Sequence, residues 1–394
     1  MANSLELKTL LADYTAGLNH SFPLRQLTNW DMQSKFSDGF GDTIYAKGFD
    51  YGTTYQTSDL TGKFSNVNRQ GVPLEILPYR KGIALSVLEN TLEMDGDTDE
   101  IIKRMSQEMA YSLTNVAYNT AIRGAAQGIV TTGTFADLSN AGIRVKNSKM
   151  NGKLGGMLSF DLHGTIAKSG IQSFGNSSLA KDMYDGVIGS FAGVDYVEGN
   201  TPYLETGAIF PAGTVTITNS TNKFGTTTAK YTPTSAISPA VTVKAGTAFT
   251  AAGIYAVDEL GNKLPYLRVF TVQADVELSG STAIDIDVGD VIFSGPFKNV
   301  SGAISAAAIT NIHEASSTYA TGVVLPQPAV MMAAQGIKPL KTLESANVPA
   351  SEGFPIRAFW DSNGTTNIDN LVFDVMFGAS IYKQVGITAL WMKV

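Results

Sequence analysis

The sequence predicts an α+β chain with more than one core, in which a small β domain interrupts a host of mixed helix and strand. Three observations carry that expectation. Between Gly207 and Val243 only Lys223 and Lys230 are charged, and Gly213–Thr250 holds twelve threonines, a composition that suits short strands. On either side the apolar spacing returns to mixed patterns, with a clear helical stripe over Thr98–Arg123. The chain has 394 residues, 44% of them hydrophobic, and so exceeds the roughly 250–300 residues at which one core stops growing.

Taken in order, Leu7, Leu10, Leu11, Tyr14 and Leu18 fall at helical spacing, and the polar, extended stretch Pro23–Gly41 follows. That pattern predicts an arm that docks on a neighbour or elsewhere on the chain; a helix packed on its own domain explains the same residues equally well. Strand-like runs at Thr43–Lys47, Leu74–Leu77 and Ile83–Leu88, with the polar Ser58–Gln70 between them, predict a long hairpin or extended loop. Over Thr98–Arg123 the stripe is Ile102, Met105, Met109, Leu113, Val116 and Ala117. Asp97, Asp99 and Glu100 stand at its positive end, with Arg123 and Gly124 at the other.

Residues 125–160 read as Gly-rich and strand-like, and Leu162–Ser169 and Asn176–Asp185 as short helices. In the β domain Phe270, Val272, Ala274, Val276 and Leu278 alternate with polar residues. After the turn Ser279–Thr282, Ile284, Ile286 and Val288 do the same, which predicts one hairpin with a wet face. Pro326 and Pro328 precede a short apolar segment, Ala329–Ala334. The tail reads as Pro355–Asp361, an Asn363-Gly364 turn and a long strand pattern over Asn370–Val385, and no internal repeat is visible.

Charged residues make up only 16% of the chain, and glycine is common at 39 copies. Burial of much of the surface against other copies of the chain would account for so few charges; a β-rich extracellular protein is the alternative. A formal charge of −7 argues against a protein that grips phosphates, yet suits a wall that encloses DNA without adhering to it. The absence of cysteine excludes disulfides, thiolate metal sites and cysteine nucleophiles. Met1–Phe22 lacks the charged and apolar blocks of a leader, and no stretch reaches about eighteen apolar residues, so the expectation is a soluble, intracellularly made protein.

Candidate chemistry is sparse. His20, His163 and His313 are widely separated and lack signature spacing, so no catalytic residue is assigned and the chain is not expected to be an enzyme. Asp95, Asp97 and Asp99 mimic the start of a calcium loop, but Glu100 replaces the required glycine and Ser106 the closing glutamate; a solvated helix start explains them. Asp285 and Asp287 fall on the solvent side of a strand, with Asp290 close by, and no metal is assigned to them. Gly39, Gly41, Gly152, Gly155 and Gly156 lack the context of a phosphate loop, and no cofactor is expected. Trp30, Trp360, Trp391, Phe354, Phe373 and Phe377 are read as packing anchors rather than a sugar-binding patch.

Two stretches carry a resemblance. VKAGTAFTAAGIYAVDELGNKLPYLRVFTVQADV over Val243–Val276, with GDVIFSGPFKNVSGA over Gly289–Ala303, resembles the inserted domain of the coat proteins of short-tailed, P-twenty-two-like phages. GFPIRAFWDSNGTTNIDNLVFDVMFGASIYKQVGITALWM over Gly353–Met392 is similar to their closing segment. With the order of parts, the likeness covers nearly the whole chain, weakly over residues 125–200, and places it among the major capsid proteins of tailed phages with the Hong Kong 97-like fold.

The resemblance implies an N-terminal arm (1–35), an extended loop over a neighbouring subunit (36–79) and a peripheral domain with a spine helix (80–154). An axial domain would take 155–204 and 312–345, an inserted β domain 205–311, and returning C-terminal strands 346–394. It implies assembly into hexamers and pentamers of an icosahedral shell around double-stranded DNA, in a virion whose protein is made in the host cytoplasm. A scaffolding protein and a portal are the implied partners. Leu10, Leu11 and Tyr14 in the arm, and Ser58, Lys63 and Gln70 in the loop, are the expected subunit contacts. The nearly uncharged Thr218–Thr228 departs from the family's charged loop between capsomers. A secreted or surface β-rich binding protein is the alternative from another class, with a carbohydrate hydrolase third.

Overall fold

A computed structural model describes residues 8, 11–18, 22–36, 42–49, 56, 59, 61, 69–86, 96–171, 189–217, 228–338, 345–348, 354–363 and 368–394. The chain runs through helix α1 over residues 11–18, strands β1 (Thr43–Phe49), β2 (Arg69–Glu75) and β3 (Leu77–Ser86), and helix α2 (Gly96–Arg123). Next come β4 (Gln127–Thr131), α3 (Phe135–Asn147), β5 (Leu154–Ser159), α4 (Phe160–Ile171), β6 (Ser190–Phe191), β7 (Val194–Gly199) and β8 (Leu204–Glu205). Strands β9 (Gly213–Ile217), β10 (Thr228–Pro233), β11 (Ile237–Val243), β12 (Ala248–Val257), β13 (Lys263–Thr271), β14 (Val276–Gly280), β15 (Ile284–Asp287) and β16 (Ile304–Asn311) follow, with no helix among the described residues. The chain closes with β17 (Thr318–Pro326), β18 (Val330–Gln335), β19 (Ser345–Asn347), β20 (Arg357–Asn363), β21 (Ile368–Ile381) and β22 (Thr388–Lys393). The class is α+β, as the sequence predicts.

Contacts divide the chain into two units, Met1–Ile44 with Leu74–Ala117 and Met331–Ser380, and Tyr45–Pro73 with Tyr118–Val330 and Ile381–Val394. In the first, β21 is the central strand, paired antiparallel with β20 from Arg357↔Asp374 to Asn363↔Ile368 and with β3 from Ile368↔Ser86 to Phe377↔Leu77. The expected tail hairpin is therefore present; Gly364 of its turn lies outside the described residues. The long strand ends at Ile381 rather than Val385, because residues 384–386 form a 3-10 turn.

Helix α2 carries the predicted stripe. Ile102, Met105, Met109, Leu113 and Ala117 are buried, and 28 residues at about 1.5 Å each give a length of about 42 Å. Gly17 of α1 lies so close to α2 that a Cβ there would stand 2.3 Å from Ser106 Oγ. Tyr14 stacks on Phe373 with centroids 4.0 Å apart, and Phe22, Trp30, Phe354 and Phe377 make edge contacts at 5.2–6.3 Å, so these aromatics anchor the core as expected.

The second unit holds a seven-stranded sheet in the order β4-β22-β17-β5-β7-β6, with β8 beside β17. Helices α3 and α4 cover one face through Phe135, Leu138, Ala141, Val145, Leu162 and Ile166. Strands β4 and β5 bear out the strand-like reading of residues 125–160 at its two ends, and helix α3 corrects it between them. Thr134 caps it, accepting the Asp137 N–H at 3.3 Å, and Asp137 Oδ2 accepts from the Thr131 and Thr134 hydroxyls at 2.7 and 2.8 Å. The expected helix over Leu162–Ser169 is α4; the one at Asn176–Asp185 lies outside the described residues.

Strands β9–β16 build a six-stranded sheet, β13-β12-β16-β9-β10-β15, and a two-stranded sheet of β11 and β14. They share one apolar cluster that includes Phe210, Tyr231, Phe249, Phe270, Leu278, Ile286 and Val300. The predicted hairpin across Phe270–Val288 is not formed. Phe270, Val272, Leu278, Ile286 and Val288 face inward as read, Ala274 is exposed, and β14 pairs with β11 and β15 with β10. The strand breaks where Gln273 Nε2 donates to Arg123 O at 3.1 Å and Asp275 Oδ1 takes the Ala245 N–H at 2.7 Å. Gln273 N–H still donates to Asp287 O at 2.9 Å beside the break. Among the described residues no helix is long and apolar enough to cross a membrane.

The first unit also buries an ion pair. Arg357 grips Asp374 in a fork, Nε to Oδ1 at 2.9 Å and Nη2 to Oδ2 at 2.5 Å, and gives Nη1 to Lys338 O at 2.7 Å; both side chains are almost wholly buried. The expected outcome for Asp374→Asn is a loss of about 3–5 kcal/mol, whereas Arg357→Met with Asp374→Leu loses much less. Urea unfolding of the two variants checks the difference.

Candidate functional site

Strands β1 and β2 stand apart from the larger sheets: among the described residues they pair with each other. A lone two-stranded ribbon is marginal in water, so its attachment decides its geometry. At the root, Gly48 lies under the ring of Phe297, where a Cβ would be 2.1 Å from Cζ, and Tyr382 Oη donates to Lys47 O at 3.1 Å. Phe297 and Tyr382 meet edge to face at 5.5 Å and complete the clamp. Ala46 and Val72 are buried, while Tyr45 is 62% exposed and packs over Gly71, which is 3.1 Å from it at the Cβ position. The ribbon thus has a fixed root and an outward aromatic.

The expected contact residues separate into three groups. Leu11 and Tyr14 are buried within the first unit, Tyr14 against Phe373, and hold α1 to its own unit. Gln70 lies half-buried on β2. Leu10, Ser58 and Lys63 fall outside the described residues, as do Thr218–Asn222 and the rest of that segment through Thr227. Tyr45, not singled out from sequence, is signalled only as an aromatic in the strand-like run Thr43–Lys47.

The titratable groups are structural. His163 Nδ1 lies 3.1 Å from Glu198 Oε2, and burial lowers its pKa while Glu198 raises it. His313 is pushed down to about 4 by burial; Nδ1 accepts the Ala248 N–H at 3.1 Å, and the ring sits 4.8 Å from Trp391 and 4.7 Å from Tyr319. His20 lies outside the described residues. Asp287 Oδ1 caps its own turn by accepting Gly289 N–H at 3.0 Å. Among the described residues no group of three or more His, Cys, Asp or Glu is placed to hold a metal.

Arg268 on β13 was not foreseen, although a charge inside the apolar run Leu267–Val272 was a signal. It donates to Ala125 O at 3.2 Å and to Gln384 Oε1 at 2.6 Å, and Asn299 Nδ2 donates to the same oxygen at 2.7 Å. Burial lowers its pKa to about 9, opposed by Asp290, so it stays a cation at neutral pH. A cavity of about 340 Å³ opens between the end of α2, residues 202–205 and residues 244–246. Its charged lining is Arg123, Lys244, Glu205 and Asp275, with no nucleophile and base in hydrogen-bonded register.

No family model matches the chain, and no curated protein matches it. Solved structures do, at low identity. The chain is similar to a structure from Mycobacterium phage Che8, at 8% identity over 93% of this chain and 90% of that one, TM-score 0.46. It is similar to the head structure of Helicobacter pylori bacteriophage KHP40, at 8% identity over 95% and 90%, TM-score 0.46. A virus-like particle from Pyrococcus furiosus matches at 6% identity over 98% and 99%, TM-score 0.44.

Gly48→Ala tests the ribbon root. The added methyl must displace the Phe297 ring, and the expected outcome is a local loss of about 1–3 kcal/mol. It is read as faster proteolysis within residues 45–73, and Phe297→Leu in the same chain restores protection.

Proposed function

We propose that this chain is a major capsid protein of a tailed phage, with the Hong Kong 97-like arrangement, that assembles with copies of itself into an icosahedral shell around double-stranded DNA. The observation that carries the reading is the ribbon: two strands clamped at Gly48, Phe297 and Tyr382, with Tyr45 outward, in the chain position of the extended loop. The order of parts and the stretches Val243–Ala303 and Gly353–Met392 support it. In this reading residues 205–311 are the inserted domain of the P-twenty-two-like coat proteins, 80–154 the peripheral domain, and 155–204 with 312–345 the axial domain. A scaffolding protein and a portal are its partners, and the virion is its location.

Geometry replaces catalysis. Several thousand Å² of interface per subunit, at about 25 cal/mol per Å², offers on the order of tens of kcal/mol before ordering costs. Each contact can then be weak, and misplaced subunits can leave before the shell closes. Subunit contacts fall to Tyr45 and Gln70 on the ribbon and to Ser58 and Lys63 in the segment it carries. The net charge of −7 keeps the wall from adhering to the DNA it encloses.

Negative-stain electron microscopy of the chain, expressed alone and with its genomic neighbours, tests the reading. Closed particles or capsomer rings are expected, and a stable monomer in both conditions overturns it. Tyr45→Glu is expected to leave the circular dichroism spectrum unchanged and to reduce particle yield at least about tenfold, an effect worth about 1.4 kcal/mol per contact set.

A further inference from the structure

The β-rich module of strands β9–β16 joins the seven-stranded sheet through a neck of two chain crossings, residues 205–210 outward and 311–318 back. The crossings are zipped together. Thr206 N–H donates to Ser317 O at 2.9 Å, Thr206 Oγ1 donates to Glu314 O at 2.7 Å and accepts Ser317 N–H at 2.9 Å, and Ser316 N–H reaches Gly207 O at 2.8 Å. Further in, Asn311 takes the Phe210 N–H at 3.2 Å and gives its amide to Phe210 O at 2.7 Å, while Ile312 N–H reaches Ala248 O at 3.1 Å.

His313 stands inside this neck, 2% exposed, with its ring between Tyr319 of β17 and Trp391 of β22. Nδ1 accepts the Ala248 N–H, so Nδ1 must be unprotonated; Nε2 has no hydrogen-bond partner. The surrounding elements offer an imidazolium no free anion. Strands β12 and β16 carry no charged residue, β17 contributes only Tyr319 as a titratable group, and β22 only Lys393. Glu314 is ion-paired with Lys393, Glu205 of β8 lies 3.4 Å from Lys244, and Tyr319 Oη accepts Glu314 N–H at 2.8 Å.

We propose that His313 is an acid-sensitive latch on the neck. Neutral imidazole closes the neck through Ala248. Protonation removes that acceptor, leaves a buried cation without a counter-charge, and opens the neck, while Arg268 and the Val269 N–H still hold β13 to Ala125 and Ala126. The sign follows from the two states: the folded pKa lies near 4, below the roughly 6.5 of an exposed histidine. The open neck therefore binds the proton more tightly, and closure is lost as pH falls from about 6.5 towards about 4. The inference does not depend on shell assembly.

Hydrogen exchange of the full-length chain at pH 7 and pH 4.5, corrected for intrinsic rates, tests it on the wild type and on His313→Asn, whose Oδ1 accepts the Ala248 N–H without titrating. The wild type is expected to lose protection at least about tenfold over 206–210, 247–250 and 311–317, and to keep it over 320–325 and 389–392. The variant is expected to change little. An unchanged wild-type neck, or an equal loss in the variant, overturns the latch. Should the variant fail to fold, imidazole NMR of the wild type, with the His163 signal assigned through His163→Gln, decides: a second histidine titrating below about pH 5 supports the latch, and none other than His163 doing so overturns it.

Discussion

A guanidinium held by neutral oxygens governs how the second unit is built. Arg268 leaves water for a site where its nearest partners are a main-chain carbonyl and a glutamine amide, and no carboxylate grips it directly. Such a group is tolerated only when its partners are fixed in place. That requirement ties β13 to Ala125 just beyond α2, to the 384–386 turn through Gln384, and to the Asn299 loop that shares the same oxygen. Asn299 in turn orders its loop, taking Ile292 N–H at 2.9 Å and giving to Asp290 O at 2.9 Å. The ribbon clamp depends on this arrangement, because Phe297 and Tyr382 lie beside Asn299 and Gln384 in the chain.

Low charge content acquires a different meaning once the charges are located. Some of the 16% is internal: Arg357 with Asp374, Lys383 with Glu259 at 2.8 Å, and Asp258, which takes an exposed Lys149 at 2.6 Å. Burial alone would raise the Asp258 carboxyl, but hydrogen bonds from Lys149 and Asn262 outweigh it and hold it below the usual range. Other pairs, such as Arg104 with Glu100 and Lys393 with Glu314, are exposed.

Legibility in the sequence followed how local the determining forces are. Helix α2 and the β20–β21 hairpin were readable because period and turn chemistry lie within the segments themselves. The inward faces of β14 and β15 were readable too, but not their partners, since each pairs with a strand remote in sequence, β14 with β11 and β15 with β10. Helix α3 was masked by glycine-rich flanks, although Thr134 and Asp137 spell its cap. The burial of Leu11 and Tyr14 was undecidable from spacing, because an apolar stripe says that a face is covered and not by what. At the ribbon, Tyr45 stands out only when Gly71 is seen beneath it.

The two crossings of the neck lie within hydrogen-bonding distance of each other, Thr206 against Ser317. A segment whose entry and exit coincide is topologically a cassette. Strands β8 and β17 already pair at Tyr319↔Leu204 and Thr318↔Glu205, so a linker of a few residues suffices to reconnect them without any strand changing register. Lineages of such chains can then gain, lose or exchange the intervening hundred-odd residues as a single event, leaving the frame to evolve at its own pace.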